Sequence, residues 1–253
     1  MRIAVVTGAS SGIGREFARQ IPKFYKQLDE IWIIARNEEK LQSLKMELEG
    51  VVTIRIYSAD ITSSRGLQMF LEDFEREQPD IRMLVNAAGF GKMGNISEIS
   101  SEEQCGMIDL NCRALTQMTC ICLPYLSKGS RILNVASASA FSPQPGFAVY
   151  AATKSYVYSF SRALGAELKE KGIVVTAVCP GPVQTAFFDV AGEVKESKKS
   201  LMAKPEDVVK QALTDSRQKK AVSIYGMAMK GSRLASIFLP DQLLMEIMLK
   251  LNN

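Results

Sequence analysis

Arg2-Ile3-Ala4-Val5-Val6-Thr7-Gly8-Ala9-Ser10-Ser11-Gly12-Ile13-Gly14 is the stretch whose reading decides the fold. Its first residues form a short β-branched apolar run, as a strand buried on both faces requires. Glycines at 8, 12 and 14 then mark a tight turn into a helix, in which Ile13, Phe17 and Ile21 recur every four residues. Glycine permits positive φ and lets a pyrophosphate approach backbone N–H groups at the helix N-terminus, where the macrodipole favours anions. Ser10 and Ser11 add hydroxyls. The spacing Gly-x-x-x-Gly-x-Gly differs from the Gly-x-Gly-x-x-Gly fingerprint, but its place between a strand and a helix points to the same kind of ligand, a dinucleotide.

Outward from this segment the pattern keeps alternating. Strands are expected near 3–7, 30–35, 51–57, 82–86, 131–136, 173–179 and 221–225. Helices are expected near 12–25, 37–49, 63–78, 101–126, 150–171 and 204–218. Such alternation predicts an α/β, doubly wound Rossmann fold, with a single parallel sheet of about seven strands flanked by helices. The loops carrying Gly8, Asn86, Ser137 and Gly181 each follow a strand, so they should converge on one sheet edge. A chain of 253 residues with no internal repeat or low-complexity linker suits one domain over 1–253.

The second strand ends at Ala35-Arg36, about twenty residues beyond the glycines, where an acid would bind the ribose 2′-hydroxyl of NAD. No carboxylate stands there to repel a 2′-phosphate, and the Arg36 guanidinium can bind one bidentately. The expected cofactor is therefore NADP(H). The alternative for Arg36 is a solvated residue before a helix capped by Asn37.

Composition narrows the chemistry. The chain has no histidine, which excludes Ser-His-Asp hydrolysis, His-ligated zinc and histidine acid-base work; no metal site is expected. Cys105, Cys112, Cys120, Cys122 and Cys179 lack Cys-x-x-Cys spacing and read as reduced core residues. The net charge of +4 is mild, and no basic cluster with interleaved aromatics points to nucleic acid. Met1 directly precedes the first strand and no apolar run reaches the roughly 18 residues that span a bilayer, so a cytoplasmic protein is expected.

Tyr150 and Lys154 lie one helical turn apart, with Ser137 thirteen residues earlier. A tyrosine of pKa about 10 is a poor acid-base catalyst at neutral pH. Lowering it to roughly 7 takes about 4 kcal/mol of selective phenolate stabilisation, which a neighbouring ammonium in a dry cleft can largely supply. Ser137 offers a hydroxyl to an oxygen on which charge develops. The trio suits proton transfer to or from an alcohol or carbonyl oxygen.

With these motifs in order, the chain resembles the short-chain dehydrogenase/reductase family in its compact single-domain form, over nearly its whole length. Thr7-Gly8-x-x-x-Gly12-Ile13-Gly14 matches the family's cofactor loop, and Asp60, followed by Ile61, matches its adenine-contacting acid. Asn86-Ala87-Ala88-Gly89 resembles the family's Asn-Asn-Ala-Gly segment beside the cofactor, with Ala87 replacing the second asparagine. Pro180-Gly181, with Val183 and Thr185, resembles the loop that holds the nicotinamide carboxamide. Asn111, Ser137, Tyr150 and Lys154 match the catalytic tetrad. The resemblance implies that Lys154 holds the nicotinamide ribose and that Asn111 anchors a water linking Lys154 to solvent. By itself, Asn111 reads as a helix side chain bonded locally to backbone. The resemblance also implies a homodimer or homotetramer, with helices around Asn111 and after Tyr150 at the interface.

The substrate side is expected to be apolar. Phe90 and Met93 follow the Asn86 segment, Phe141 and Phe147 lie between Ser137 and Tyr150, and Phe187 and Phe188 follow Thr185. Together with Ser139 and a polar contact from Gln144, they fit a small hydrophobic ketone or secondary alcohol, whether steroid, bile acid, fatty-acyl or aromatic. Residues 186–203 are expected to form a substrate-closing loop. Residues 233–250 are expected to form one amphipathic helix that packs on the body, bridges subunits, covers the pocket or touches a membrane surface. The rival function is a catalytically silent dinucleotide-binding sensor or scaffold.

Overall fold

The computed structural model describes residues 1–192 and 202–252. Seven strands form one parallel sheet: β1 (Arg2–Thr7), β2 (Glu30–Ala35), β3 (Thr53–Ser58), β4 (Asp80–Asn86), β5 (Leu126–Val135), β6 (Val174–Val178) and β7 (Val222–Ser223). Their spatial order is β3-β2-β1-β4-β5-β6-β7. The chain leaves β1 toward β2 on one side and later returns to β4 on the other. The carboxyl ends of β1 and β4 therefore flank the crevice where doubly wound sheets bind ligands.

Alternation along each strand separates two cores. Ile3 and Val5 of β1, with Trp32 and Ile34 of β2, face one layer, while Ala4, Val6, Ile31 and Ile33 face the other. The first layer is covered by α3 (Ser64–Glu77) through Phe70 and Phe74 and by α5 (Leu115–Cys122) through Met118. Leu164 of α6 (Ala148–Glu167) packs there as well. The second layer is covered by α1 (Gly12–Phe24), α2 (Glu38–Glu47) and α8 (Pro205–Arg217), whose Phe17, Ile21, Leu41, Leu44, Val209 and Leu213 are buried. This is the doubly wound arrangement the alternating pattern predicts.

Three segments depart from expectation. The helix expected over 101–126 is interrupted: α4 (Ser101–Ile108) passes through a π-helical turn at Asp109–Ala114 into α5, and a 3₁₀ turn at Leu123–Tyr125 ends the rod. Pro124 stops that helix, so β5 starts at Leu126, five residues early, and Gly129 at φ +91° takes up the irregularity. At the C-terminal end the single helix expected over 233–250 is two helices, α9 (Met227–Phe238) and α10 (Asp241–Asn252). Pro240 lacks an N–H and forces Leu239 to the extended backbone observed, φ −89° and ψ 140°. Finally, Cys122 and Cys179 are buried, but Cys105 and Cys120 lie exposed on outward helix faces rather than in the core. No helix among the described residues is long and apolar enough to cross a membrane.

Candidate active site

The turn after β1 is built for close backbone approach. Gly8, at φ +70°, would place a Cβ 2.7 Å from the Ala88 nitrogen, and a Cβ on Gly14 would collide with the Gly8 carbonyl oxygen. Thr7 fastens the turn to the next strand: its Oγ1 accepts from the N–H groups of Ala87 and Ala88 at 3.1 and 3.2 Å. Helices α2, α3 and α4 are closed by side-chain caps from Asn37, Ser63 and Ser100. Ser11, the N-cap of α1, makes no such bond, and α1 has no acid in its first turn. The first N–H groups of α1 thus face the cleft without a side-chain acceptor, as an anionic ligand requires. These residues fit a dinucleotide pyrophosphate.

Arg36 is exposed at the end of β2 on the rim of this cleft. Asp60, after β3, accepts from the Thr62 N–H at 2.9 Å and from its hydroxyl at 2.7 Å. Burial pushes the Asp60 carboxyl up, but the Thr62 bonds and the Arg36 charge outweigh it and hold the group below the usual range.

The catalytic candidates meet deeper in the cleft. Ser137 leaves β5 at the start of a 3₁₀ turn, its Oγ accepting from Ser139 N–H at 3.1 Å. Its hydroxyl also hydrogen-bonds Tyr150. Tyr150 and Lys154 are buried on one face of α6, with the Lys154 Nζ 5.6 Å from the tyrosine ring centre. Nζ donates to the Val135 carbonyl at 2.9 Å. Burial decides both titrations. It raises the Tyr150 phenol to about 12 against the Ser137 bond, and lowers the Lys154 ammonium to about 8. The expected depression of the tyrosine by the lysine does not appear in the dinucleotide-free protein, where burial of the phenolate is the larger effect and the Ser137 hydroxyl the opposing one.

Asn111 sits in the π-helical turn and is buried. Its amide donates to the Phe90 carbonyl at 2.9 Å and to Thr153 Oγ1 at 3.0 Å, while its Oδ1 accepts from Phe90 N–H at 3.1 Å. These bonds are not local to its own helix; they join the loop after β4 to α6. Gly89 packs tightly beside them, since a Cβ there would lie 2.8 Å from Asn111 Oδ1 and 3.3 Å from Lys154 Nζ.

One cleft of about 2190 Å³ brings these groups together, more than the roughly 300–1,000 Å³ typical of a site for a single small ligand. Gly8, Ser10 to Gly14, Arg36, Asp60, Ile61, Ala87 and Ala88 line one end. Ser137, Tyr150 and Lys154 stand at its centre with Pro180, Gly181, Val183 and Thr185. Phe90, Ser139, Gln144, Phe147, Phe187 and Phe188 line the remainder. Three expected residues do not reach it. Asn86 is buried behind the loop, donating to Thr119 Oγ1 and Asn134 Oδ1 at 3.1 and 2.9 Å, so it braces strand ends. Asn111 acts through Phe90 and Thr153, as above. Phe141 turns away at the end of the 3₁₀ turn, edge-on to Tyr158 at 5.6 Å and under the Arg233 guanidinium.

The sequence reading missed Gly91 and several methionines. A Cβ on Gly91 would come within 2.7–2.9 Å of Tyr150, Phe147 and Phe187. The ring of Phe147 stacks on Tyr150 at 4.2 Å, and Phe187 of α7 (Phe187–Ala191) tilts against it at 5.5 Å. Met229 packs so closely on Gly181 that a Cβ would lie 2.6 Å from its sulfur, and Met248 reaches Gln144 Nε2 at 3.8 Å. The amphipathic spacing of the C-terminal stretch hinted at the second contact; nothing local pointed to the first. Of the expected closing loop 186–203, residues 193–201 lie outside the described residues; Ala203 pairs with Pro182 and Gln184 at its base through bonds of 2.9 Å.

The model of the short chain dehydrogenase family matches residues 2–196. The chain belongs to that family. An oxidoreductase of Staphylococcus epidermidis, uncharacterised as to activity, is 34% identical over 215 residues, covering 84% of this chain and 91% of the relative. Among solved structures, a short-chain dehydrogenase from Sphingobium yanoikuyae in complex with NADPH is 27% identical with a TM-score of 0.79, covering 94% of this chain and 95% of its own. The bulky-bulky ketone specific alcohol dehydrogenase from Comamonas testosteroni is 26% identical with a TM-score of 0.76, covering 98% and 94%. The protein is accordingly an oxidoreductase of the short-chain dehydrogenase family.

Proposed function

We propose that this oxidoreductase uses NADP(H) to interconvert a bulky hydrophobic ketone and its secondary alcohol. The observation that carries the reading is the meeting of Ser137, Tyr150 and Lys154 in the same cleft as the uncapped N-terminus of α1. The bound NADPH would supply the hydride. Gly8, Gly12, Gly14 and the first N–H groups of α1 would hold its pyrophosphate, and Arg36 its 2′-phosphate; the likeness to an NADPH complex supports that choice. Pro180, Gly181, Val183 and Thr185 would bound the nicotinamide end, and Asp60 and Ile61 the adenine end.

With its pKa raised to about 12, Tyr150 keeps its proton at pH 7 and is a proton donor to a carbonyl oxygen. Ser137 donates a hydrogen bond to the same oxygen and fixes its position against the phenol. Lys154, still mostly charged at pH 7 with a pKa near 8, stabilises the phenolate left after transfer. Asn111 holds the Phe90 backbone and Thr153, and a water bound between Asn111 and Lys154 would replace the proton.

The apolar end, with Phe90, Phe147, Phe187, Phe188 and the pliable thioethers of Met93 and Met248, favours a large, flat or branched apolar carbonyl over a sugar. The likeness to a dehydrogenase specific for bulky-bulky ketones supports this. The test is a panel of steroid, bile-acid, acyl and aromatic ketones followed by NADPH and NADH absorbance. Oxidation of NADPH by a bulky ketone is expected; turnover confined to sugars or small polar carbonyls would overturn the substrate assignment.

A further inference from the structure

The C-terminal helix pair leaves an apolar ridge uncovered. On α9, Met227, Leu234, Ile237 and Phe238 are 80%, 58%, 63% and 75% exposed. Their spacing of 3, 4, 7 and 11 residues puts all four within one third of the helix circumference. Lys230 lies exposed in the same arc. None of the twelve residues of α9 is buried, so this helix is not held by a core of its own.

What would cover such a face is argued by its charge and by its neighbour. The two charged side chains of α9 are both basic: Lys230 lies exposed on the ridge, while Arg233 turns inward over Phe141 and Tyr158 and donates to the Tyr158 hydroxyl at 3.1 Å. Two copies meeting symmetrically through this ridge would bring cation toward cation. An anionic lipid surface complements the same pattern, with the apolar side chains among the acyl chains and the lysine stem reaching back to the headgroups. The ridge also continues into the cleft. Met227 lines the cleft while most of its surface is exposed, and Leu249 of α10 lines it while nearly half exposed. Glu246, an exposed acid, is on α10 rather than on the ridge.

We propose that the exposed face of α9 docks the protein on an anionic lipid surface, with the apolar mouth of the cleft beside the bilayer. Binding would be peripheral and reversible. A hydrophobic carbonyl dissolved in the lipid would then reach the cleft without crossing water; this last step rests on the substrate reading above, whereas the docking does not.

The test is co-sedimentation of the full chain with vesicles of phosphatidylcholine alone and of phosphatidylcholine mixed with phosphatidylglycerol. The wild-type protein should pellet with the mixed vesicles, with partitioning about tenfold stronger than with phosphatidylcholine alone and weakened by high salt. The Leu234→Glu/Phe238→Glu variant should lose at least about tenfold in binding while keeping its circular dichroism, since both positions are exposed. Lys230→Glu should lose the preference for phosphatidylglycerol and keep weak binding. A wild-type protein that stays in the supernatant with both vesicles overturns the proposal, as does a double variant that pellets equally well. A concentration-dependent dimer abolished by the double variant, with no vesicle binding, would assign the ridge to a second copy instead. Because sedimentation needs no turnover, failure of the docking and failure of the ketone reductase reading are read separately.

Discussion

Lys154→Met should stabilise the dinucleotide-free protein at pH 7 and destabilise it at high pH. Burial lowers the Lys154 pKa from 10.5 to about 8. Below pH 8 the lysine is charged in both folded and unfolded states, and folding must bury the ammonium. The drop corresponds to roughly 3 kcal/mol at 1.36 kcal/mol per pH unit. Between pH 8 and 10.5 the unfolded chain holds a proton that the folded protein has released, so wild-type stability rises with pH across that window. Methionine matches the lysine stem in length but forfeits the bond from Nζ to the Val135 carbonyl, worth about 1 kcal/mol at any pH. The variant should therefore be more stable than wild type by about 2 kcal/mol at pH 7. That difference should vanish at about pH 9.5 and be reversed by pH 10.5. Groups such as Tyr150 titrate in both proteins and largely cancel in the comparison. Urea denaturation followed by the fluorescence of Trp32 at pH 7, 9 and 10.5 measures it. A variant less stable than wild type by the same amount at every pH would refute the reasoning.

Two further outcomes follow from the site. Gly91→Ala puts a methyl group within 2.9 Å of the rings of Tyr150, of Phe147 stacked on it and of Phe187 tilted against it, so the Tyr150 phenol must shift. Steady-state kinetics should show kcat/KM lowered at least about tenfold, with NADPH affinity nearly unchanged; unaltered kinetics would remove Gly91 from the site. Arg36→Asp, at an exposed position, should lower the NADPH over NADH preference by at least about tenfold, or 1.4 kcal/mol. Equal preference ratios in variant and wild type would remove Arg36 from cofactor selection.

The fold was legible because β1, β4 and their neighbours are buried on both faces, which requires continuous apolar runs, and because glycines mark the turn after β1. The catalytic groups were legible for a related reason: their spacing reflects one turn of α6 and the length of one loop. What stayed hidden depends on contacts distant in sequence. Asn86 and Phe141 follow strands as site residues do, yet one pairs with Asn134 and the other packs on Tyr158. The role of Gly91 arises only when Phe147 and Phe187 arrive from two other loops. The π-helical turn at Asn111 leaves no mark in the periodicity, because the helix continues on both sides. The burial that raises the Tyr150 phenol leaves no mark in the sequence, whereas its charged neighbour Lys154 does.

The central claim is that Tyr150 transfers the proton while the rest of the cleft holds the cofactor. Its most direct test is Tyr150→Phe, with NADPH binding measured by fluorescence and turnover of an accepted bulky ketone measured beside it. The variant should bind NADPH within about threefold of wild type and lose at least about 100-fold in kcat, as expected for removal of a general acid. A variant that turns over at the wild-type rate would contradict the account.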